Sequence, residues 1–234
     1  MQIDRSLVEG FDLFEGVKPN EVDEILSNAT GRRYPLGEVV FEQGSDAQHF
    51  FLLLHGRLRA TQVTAEGQQV VVRVVNPGDI FGIARALRRT DYPATAKAVA
   101  DSILLVWPMS LWDVFMRDHP LLAVNAMRTI GDRLLEAQTR MRELATEAVE
   151  RRVAHAVLRL ANQAGKREPD GVRIDFPLSK QDIAEMTGTT LHTVSRIFTA
   201  WEAAGLIEGG RQRLKVCAPH ELVLIGDGLK PGRL

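Results

Sequence analysis

The apolar positions of this chain change period as it runs, and each change marks a new element. Between residues 3 and 29, Leu7, Phe11, Phe14, Val22, Ile25 and Leu26 form short helical faces, with Pro19-Asn20 as a break and restart. Short amphipathic helices are predicted there, as a lid on the next segment of the chain. From Tyr34 to Val106 the pattern becomes short β-rich runs, VVF, HFFLLL, RLRATQVT, QQVVVRVV, TAKAVA and SILLVW, separated by Gly37, Gly44, Gly56, Gly67 and Pro77-Gly78. Strands this short and evenly punctuated predict a sandwich or roll. Ala65-Glu66-Gly67 has the composition of a hairpin turn, and Asn76-Pro77-Gly78-Asp79 that of a tight turn ahead of Ile80-Phe81-Gly82.

The period then lengthens. From His119 to Ala148, Met127, Ile130, Leu134, Ala137, Met141, Leu144 and Ala148 alternate steps of three and four, the a/d seam of a left-handed coiled coil over about three heptads. Arg128, Asp132, Arg133, Glu136, Gln138, Arg140, Arg142, Glu143 and Glu147 fall between them and are expected on solvated faces. Asp118 and Pro120 stand where an N-cap and a first-turn proline belong. Gly131 is the flaw in the helix, costing about 1 kcal/mol against alanine and letting another backbone approach. The seam predicts a parallel homodimer; the alternative is a core helix of a single globular domain.

A second helical face comes next, with Val149, Val153, Ala156, Val157, Leu160 and Ala161, and opens another domain. Gly165 to Gly171, GKREPDG, reads as an exposed loop, and Val172 to Phe176 alternates like a short strand. Ser179 to Ile207 then reads as two helices and a tight turn. Ser179 with Asp182 forms a capping-box-like start, Ala184 is small where the helices cross, and Gly188 supplies the permissive turn backbone. Thr189 or Thr190 can cap a second helix whose Leu191, Val194, Ile197, Phe198 and Trp201 face inward. Thr190, His192, Thr193, Ser195, Arg196 and Thr199 are then left facing out. After Gly205, LIEGGRQRLKVC gives two short strands about a Gly209-Gly210 turn, a wing carrying Arg211, Arg213 and Lys215 toward phosphates. The alternative is an ordinary helical hairpin.

Composition narrows the function. At 234 residues the chain accommodates two small domains, and a net charge of -1 with 25% charged residues shows no basic or acidic tail. Any nucleic-acid surface is therefore local. No apolar run reaches the length of a signal peptide core or a membrane span, so a cytoplasmic protein without membrane contact is expected. The single cysteine, Cys217, makes neither an internal disulfide nor, alone, an iron-sulfur or thiolate zinc site. No nucleophile with its base, carboxylate pair or metal cluster appears at a recognisable spacing, so the chain is not expected to be an enzyme.

In order and in motifs the whole chain resembles the CRP/FNR superfamily of bacterial transcription regulators, most specifically in TVSRIFTAWEAAGLI. The resemblance implies an α+β architecture in three parts. The first is a sensor domain over 1–118 with a double-stranded β-helix, a cyclic-nucleotide-binding-like or cupin-like roll, at about 34–107. A dimerisation helix over 119–148 comes second, and then a winged helix-turn-helix over 149–234 that includes a C-terminal extension. It implies a homodimer that binds double-stranded DNA at an inverted repeat, with RNA polymerase as a further partner. By the family's pattern Lys180, Gln181, Thr190 and Thr193 stand at phosphate-contacting positions, to which the reading of the wing adds Arg211 and Arg213. Arg196 stands where the family's arginine reads a guanine edge, and Ser195 matches the serine of the FNR branch. His192 departs from the pattern, standing where many members carry a glutamate that accepts from cytosine.

The resemblance says less about the signal. Cyclic-nucleotide members hold the phosphate with an Arg-Ser pair after Gly-Glu-Leu, whereas the matching stretches here are Gly82 to Ala84 and Tyr92 to Ala96, with Pro93 near the arginine position. Cyclic AMP is disfavoured, although Arg85, Arg88 and Arg89 lie nearby. The N-terminal cysteines of iron-sulfur members are absent before Cys217. What remains is similar to the Dnr and NnrR groups, regulators of nitrogen-oxide metabolism that include haem users, or else to members with no small-molecule effector. Of six histidines, His49, His55, His119, His155, His192 and His220, the first two lie in the roll and are the haem-ligand candidates, while their spacing makes no metal site. An effector-binding cupin-like module or metalloenzyme without DNA regulation is the alternative, for which two histidines supply too few ligands.

Overall fold

A computed structural model describes residues 3–229. The run HFFLLL explains its own unbroken hydrophobicity. Side chains alternate across a strand, so Phe50 and Leu52 enter one core while Phe51 and Leu53 enter another. The strand paired with it behaves alike, with Leu105 and Trp107 on one side and Leu104 and Val106 on the other. A sheet buried on both faces reads as continuous apolar sequence.

Eight strands build this unit: β1 (Thr30–Tyr34), β2 (Val39–Phe41), β3 (His49–His55), β4 (Leu58–Val63), β5 (Gln69–Val75), β6 (Ile80–Phe81), β7 (Thr95–Ala98) and β8 (Ser102–Pro108). They form two four-stranded sheets in the orders β1-β8-β3-β6 and β2-β7-β4-β5. The core between the sheets holds Tyr34, Phe51, Leu58, Val75, Phe81 and Val106, among others. The outer core lies on the far face of β3 and β8, under helices α1 (Pro19–Ser27) and α2 (Trp112–Asp118) and the first turns of α3 (Pro120–Thr146). Trp107 donates from Nε1 to the Ile25 carbonyl at 2.8 Å, fixing α1 to the sheet. Asn125, buried on α3, donates to the carbonyls of Leu13 at 3.1 Å and Glu15 at 2.9 Å. The N-terminal helices thus cover the sheet's outer face, as a lid on the roll.

Two sequence expectations need correction here. The roll begins at Thr30, not Tyr34, because four of the five residues of β1 are exposed and TGRRY carries little strand signature. Asp118 does not cap the long helix: it closes α2 and pairs with Arg117 at 2.6 Å, so Pro120 opens α3 directly.

Apart from Gln69–Val71, the chain up to Ala137 builds this first compact unit, and from Gln138 on it builds the second. The second contains α4 (Val149–Ala164), β9 (Gly165–Glu168), β10 (Gly171–Ile174), α5 (Lys180–Thr187), α6 (Leu191–Ala203), β11 (Ile207–Gly210), β12 (Arg213–Val216) and α7 (Pro219–Gly226). Its sheet runs β11-β12-β10-β9. The stretch GKREPDG, expected as a loop, is mostly a hairpin: β9 pairs antiparallel with β10, stapled by Arg173 to Glu168 at 2.6 Å and Lys166 to Asp175 at 2.8 Å. Charged side chains on exposed strand faces hide the strand period. The C-terminal extension forms α7, which buries Leu222 and Ile225 and whose Gly226 carbonyl accepts from Arg151 of α4 at 2.8 Å. Among the described residues, no helix is long and apolar enough to cross a membrane.

Candidate nucleic-acid interface and sensor cavity

Local chemistry fixes α5 and α6 before packing does. The Ser179 hydroxyl accepts from Asp182 N at 3.1 Å, and the Asp182 carboxylate accepts from Ser179 N at 2.9 Å, a complete capping box. Gly188 ends α5 at φ 59, a left-handed conformation that costs a side-chain-bearing residue roughly 1–2 kcal/mol. Arg152 of α4 donates to the Thr187 carbonyl at 3.1 Å, which gives the last carbonyl of α5 a partner. Thr190 then caps α6 by accepting from Thr193 N at 3.2 Å.

Behind the turn, α6 buries Val194, Ile197, Phe198 and Trp201, each contributing about 1.5–3 kcal/mol. Trp201 also donates from Nε1 to Glu150 of α4 at 3.0 Å. Leu191, expected to face inward, is the first residue of α6 and is 44% exposed. On the outer face His192, Arg196 and Thr199 are exposed and Thr193 and Ser195 half-buried, so one turn-to-turn stripe presents the three residues expected to read bases. Thr190 is exposed and its hydroxyl lies 3.0 Å from that of Thr193. Gln181 is exposed and donates to Glu185 at 3.0 Å, while the Lys180 ammonium rests 5.8 Å from the Phe198 ring centroid.

The wing is present, but its turn lies two residues on from the expected Gly209-Gly210. Both glycines end β11, and the tip is Arg211-Gln212, with Gln212 at φ 58. A Cβ at Gly209 would meet the carboxylate end of the exposed Glu202 side chain, which can swing aside. Arg211 and Arg213 are exposed. Lys215 is bound to Asp170 at 2.6 Å and Glu208 at 2.7 Å, contacts that raise its pKa and remove it from the set of free wing cations.

The expected seam residues stand on α3 in two groups. Met127 at 63%, Leu134 at 58% and Met141 at 69% exposure repeat every seven residues, and Ala137, Leu144 and Ala148, the last just beyond the helix end, are exposed as well. Ile130 is partly buried against the outer core of its own roll. Leu135, which the 3-4 spacing passes over, is as open as its neighbours at 62%.

In the first unit a cavity of about 360 Å³ opens beside the roll, lined by Phe41, Val75, Phe81, Leu87, Pro93 and Ala94, with Ile130, Arg133 and Leu134 of α3 and Arg73 of β5. Phe41 stacks on Tyr92 with ring centroids 3.9 Å apart behind this wall. Arg133, expected in solvent, is instead folded into the unit, donating to the Ile80 carbonyl and lying 3.5 Å from Asp79. No sequence signal singles it out, since its helical position is that of a surface residue. Neither haem-ligand candidate lines the cavity: His49 starts β3, where burial and then Arg32 lower its pKa, and His55 ends the same strand in the open. Arg85 and Arg89 are engaged with Asp113 at 2.6 Å and Asp91 at 2.8 Å.

Comparison with known proteins agrees with this division. Residues 31–119 match the Cyclic nucleotide-binding domain family and residues 151–225 the Crp-like helix-turn-helix domain family. The chain is 32% identical over 222 residues to the Cyclic AMP receptor protein of Thermus thermophilus, covering 95% of this chain and 100% of that one. It is 27% identical over 187 residues to the Global nitrogen regulator of Synechocystis, covering 79% of this chain and 83% of the relative. The solved structure of FixK2 from Bradyrhizobium japonicum shares the fold, with a TM-score of 0.73 at 20% identity over 88% of this chain and 99% of that one. With a sensor-type roll, a helix-turn-helix of matching kind and a relative aligned over nearly its whole length, the chain belongs to the CRP/FNR family of DNA-binding transcription regulators and is not an enzyme.

Proposed function

We propose that the protein acts as a parallel homodimer, paired along α3, that reads an inverted-repeat operator with the outer face of α6. The observation that carries this reading is the heptad repeat of exposed Met127, Leu134 and Met141, an apolar stripe that the described residues leave open to solvent. A dimer places two recognition helices about one duplex turn apart, roughly 34 Å. His192, Ser195 and Arg196 then meet base edges, while Lys180, Gln181, Thr190, Thr193, Arg211 and Arg213 hold phosphates. RNA polymerase is the further partner that a transcription regulator calls for.

The cavity beside the roll is the sensor site in this reading, and its occupancy biases how the two long helices meet. A cyclic nucleotide is disfavoured there. Pro93 and Ala94 offer its phosphate neither a cation nor a hydroxyl, Arg85, Arg88 and Arg89 are not part of the lining, and beside the lining arginines, Arg73 and Arg133, the chiefly apolar wall leaves its ribose hydroxyls without partners. Haem is disfavoured as well, because an axial ligand is needed and no histidine lines the cavity.

The test compares binding of the full chain to a duplex carrying an inverted repeat with binding to one carrying a single half-site. Tight binding of two chains to the repeat, and binding weaker by at least tenfold to the half-site, is expected from pairing of two sites. Equal affinity for both duplexes, with one chain on each, would rule out the dimeric reading.

A further inference from the structure

The cavity carries more positive charge than its own carboxylate balances. Arg73 and Arg133 converge on Asp79, two guanidiniums for one carboxylate. Asp79 Oδ2 already accepts from Arg73 at 2.5 Å and from Asn76 N at 2.8 Å, leaving Arg133 a loose contact of 3.5 Å to Oδ1. The Arg133 Nε is buried without a hydrogen-bond partner. Burial, and then the neighbouring Arg73, bring the Arg133 pKa down to about 10. Glu136, the other acid acting on Arg133, is exposed to solvent on the next turn of α3. A guanidinium largely removed from water, 22% exposed and only loosely paired with its carboxylate, is stabilised by an added anion, which makes charge-assisted bonds that a neutral group cannot match.

The rest of the lining is chiefly apolar, and the cavity volume of about 360 Å³ falls within the range of small-molecule sites, about 300–1,000 Å³. Gln62, the amide on this wall, already donates to the Pro93 carbonyl at 2.9 Å. A ligand rich in hydroxyls would leave its own polar groups unpaired.

We propose that this cavity binds an organic monocarboxylate with a compact aromatic body, its carboxylate held by Arg73 and Arg133 and its ring against Phe41, Phe81 and Pro93. The inference rests on the reading of the cavity as the sensor site, and gives that site a ligand class. It also gives it a lever: Arg133 is followed on α3 by Leu134, which lines the cavity and belongs to the exposed heptad stripe. An anion that draws in Arg133 acts on the turn that would meet a second chain.

The experiment is calorimetric titration of the purified full-length protein with 1-naphthoate, with its neutral isostere 1-naphthamide, and with cyclic AMP. We expect naphthoate to bind once per chain and at least about tenfold more tightly than the amide, the loss expected from one missing charge-assisted bond. Cyclic AMP should bind more weakly than naphthoate. Arg133→Gln should remove the preference for the acid while leaving amide binding in place. Equal affinity for acid and amide, no binding of the acid, stronger binding of cyclic AMP, or a preference that persists in Arg133→Gln would each overturn the proposal. The wild-type comparison needs no variant, so a folding defect in Arg133→Gln leaves the proposal open to refutation. Because no DNA is used, failure here is separable from failure of the dimer on its operator.

Discussion

Glu143, near the end of the long helix, accepts a hydrogen bond from Arg159 Nη1 at 2.6 Å, with only 6% of its side chain exposed. The pair joins α3 to α4, the first helix of the DNA-binding fold, through a charge-assisted bond shielded from water. Truncating one partner leaves the other charge partly buried and uncompensated. Glu143→Ala is therefore expected to destabilise the second unit by about 1–3 kcal/mol, a size typical of a lost hydrogen bond to a charged group. Thermal unfolding of the variant checks this; an unchanged melting temperature would show that the pair contributes nothing.

Met141→Lys places a charge in the middle of the exposed apolar stripe of α3. In a paired seam two such charges would face each other without partners, so the variant should dissociate to monomers in light scattering. Secondary structure by circular dichroism should be retained, because Met141 is 69% exposed in the single chain. A stable dimer in Met141→Lys would place the pairing surface elsewhere.

Gly188 combines a left-handed φ of 59 with a neighbour that a Cβ would meet, Leu144 Cδ2 at 3.0 Å. Gly188→Ala is expected to cost about 1–2 kcal/mol, and Gly188→Asn less backbone strain, since asparagine enters that region more readily. Denaturant midpoints of the two variants measure the difference, and equal midpoints for Gly188→Ala and the parent would contradict it.

The three cations of β12 and its turn should separate in salt dependence. Arg211 and Arg213 are exposed, whereas Lys215 is held by Asp170 and Glu208. Replacing either arginine by alanine should reduce the slope of log affinity against log salt by about 1 per chain, the value for one lost phosphate contact. Lys215→Ala should leave the slope unchanged. A reduced slope for Lys215→Ala would show that the lysine leaves its carboxylates for the backbone of DNA.

What the sequence made legible was whatever one element's own period or capping could express. The apolar strand runs of β3 and β8, the capping box of Ser179 and Asp182, the left-handed Gly188 and the buried stripe of α6 beyond Leu191 are local patterns, and the structure realises each of them. The elements that escaped are those whose side chains face water or whose partners are distant in sequence. Strand β1 and the β9–β10 hairpin are polar outside, and the wing turns at Arg211-Gln212, where Gln212 rather than a glycine takes the left-handed backbone. Glu143 and Arg133 are both charged and both stand at helical positions that predict solvent. They are drawn in by Arg159 and by Asp79 with the Ile80 carbonyl, contacts 16 or more residues away that no helical period encodes. For the same reason the cavity, assembled from two sheets and a helix, left no trace in the motif pattern.

The central claim is that α6 reads sequence through Arg196 from each chain of a dimer, and selection of duplexes from a random pool tests it most directly. Wild-type protein should enrich inverted repeats whose half-site centres lie about 10–11 base pairs apart, each half containing a required guanine. Arg196→Ala should lose the preference at that one position, at a cost of about 1–3 kcal/mol per half-site, while Lys180→Ala should bind every duplex more weakly with its selectivity intact. Enrichment of unrepeated sites by the wild-type protein, or full guanine selectivity retained by Arg196→Ala, would contradict the account.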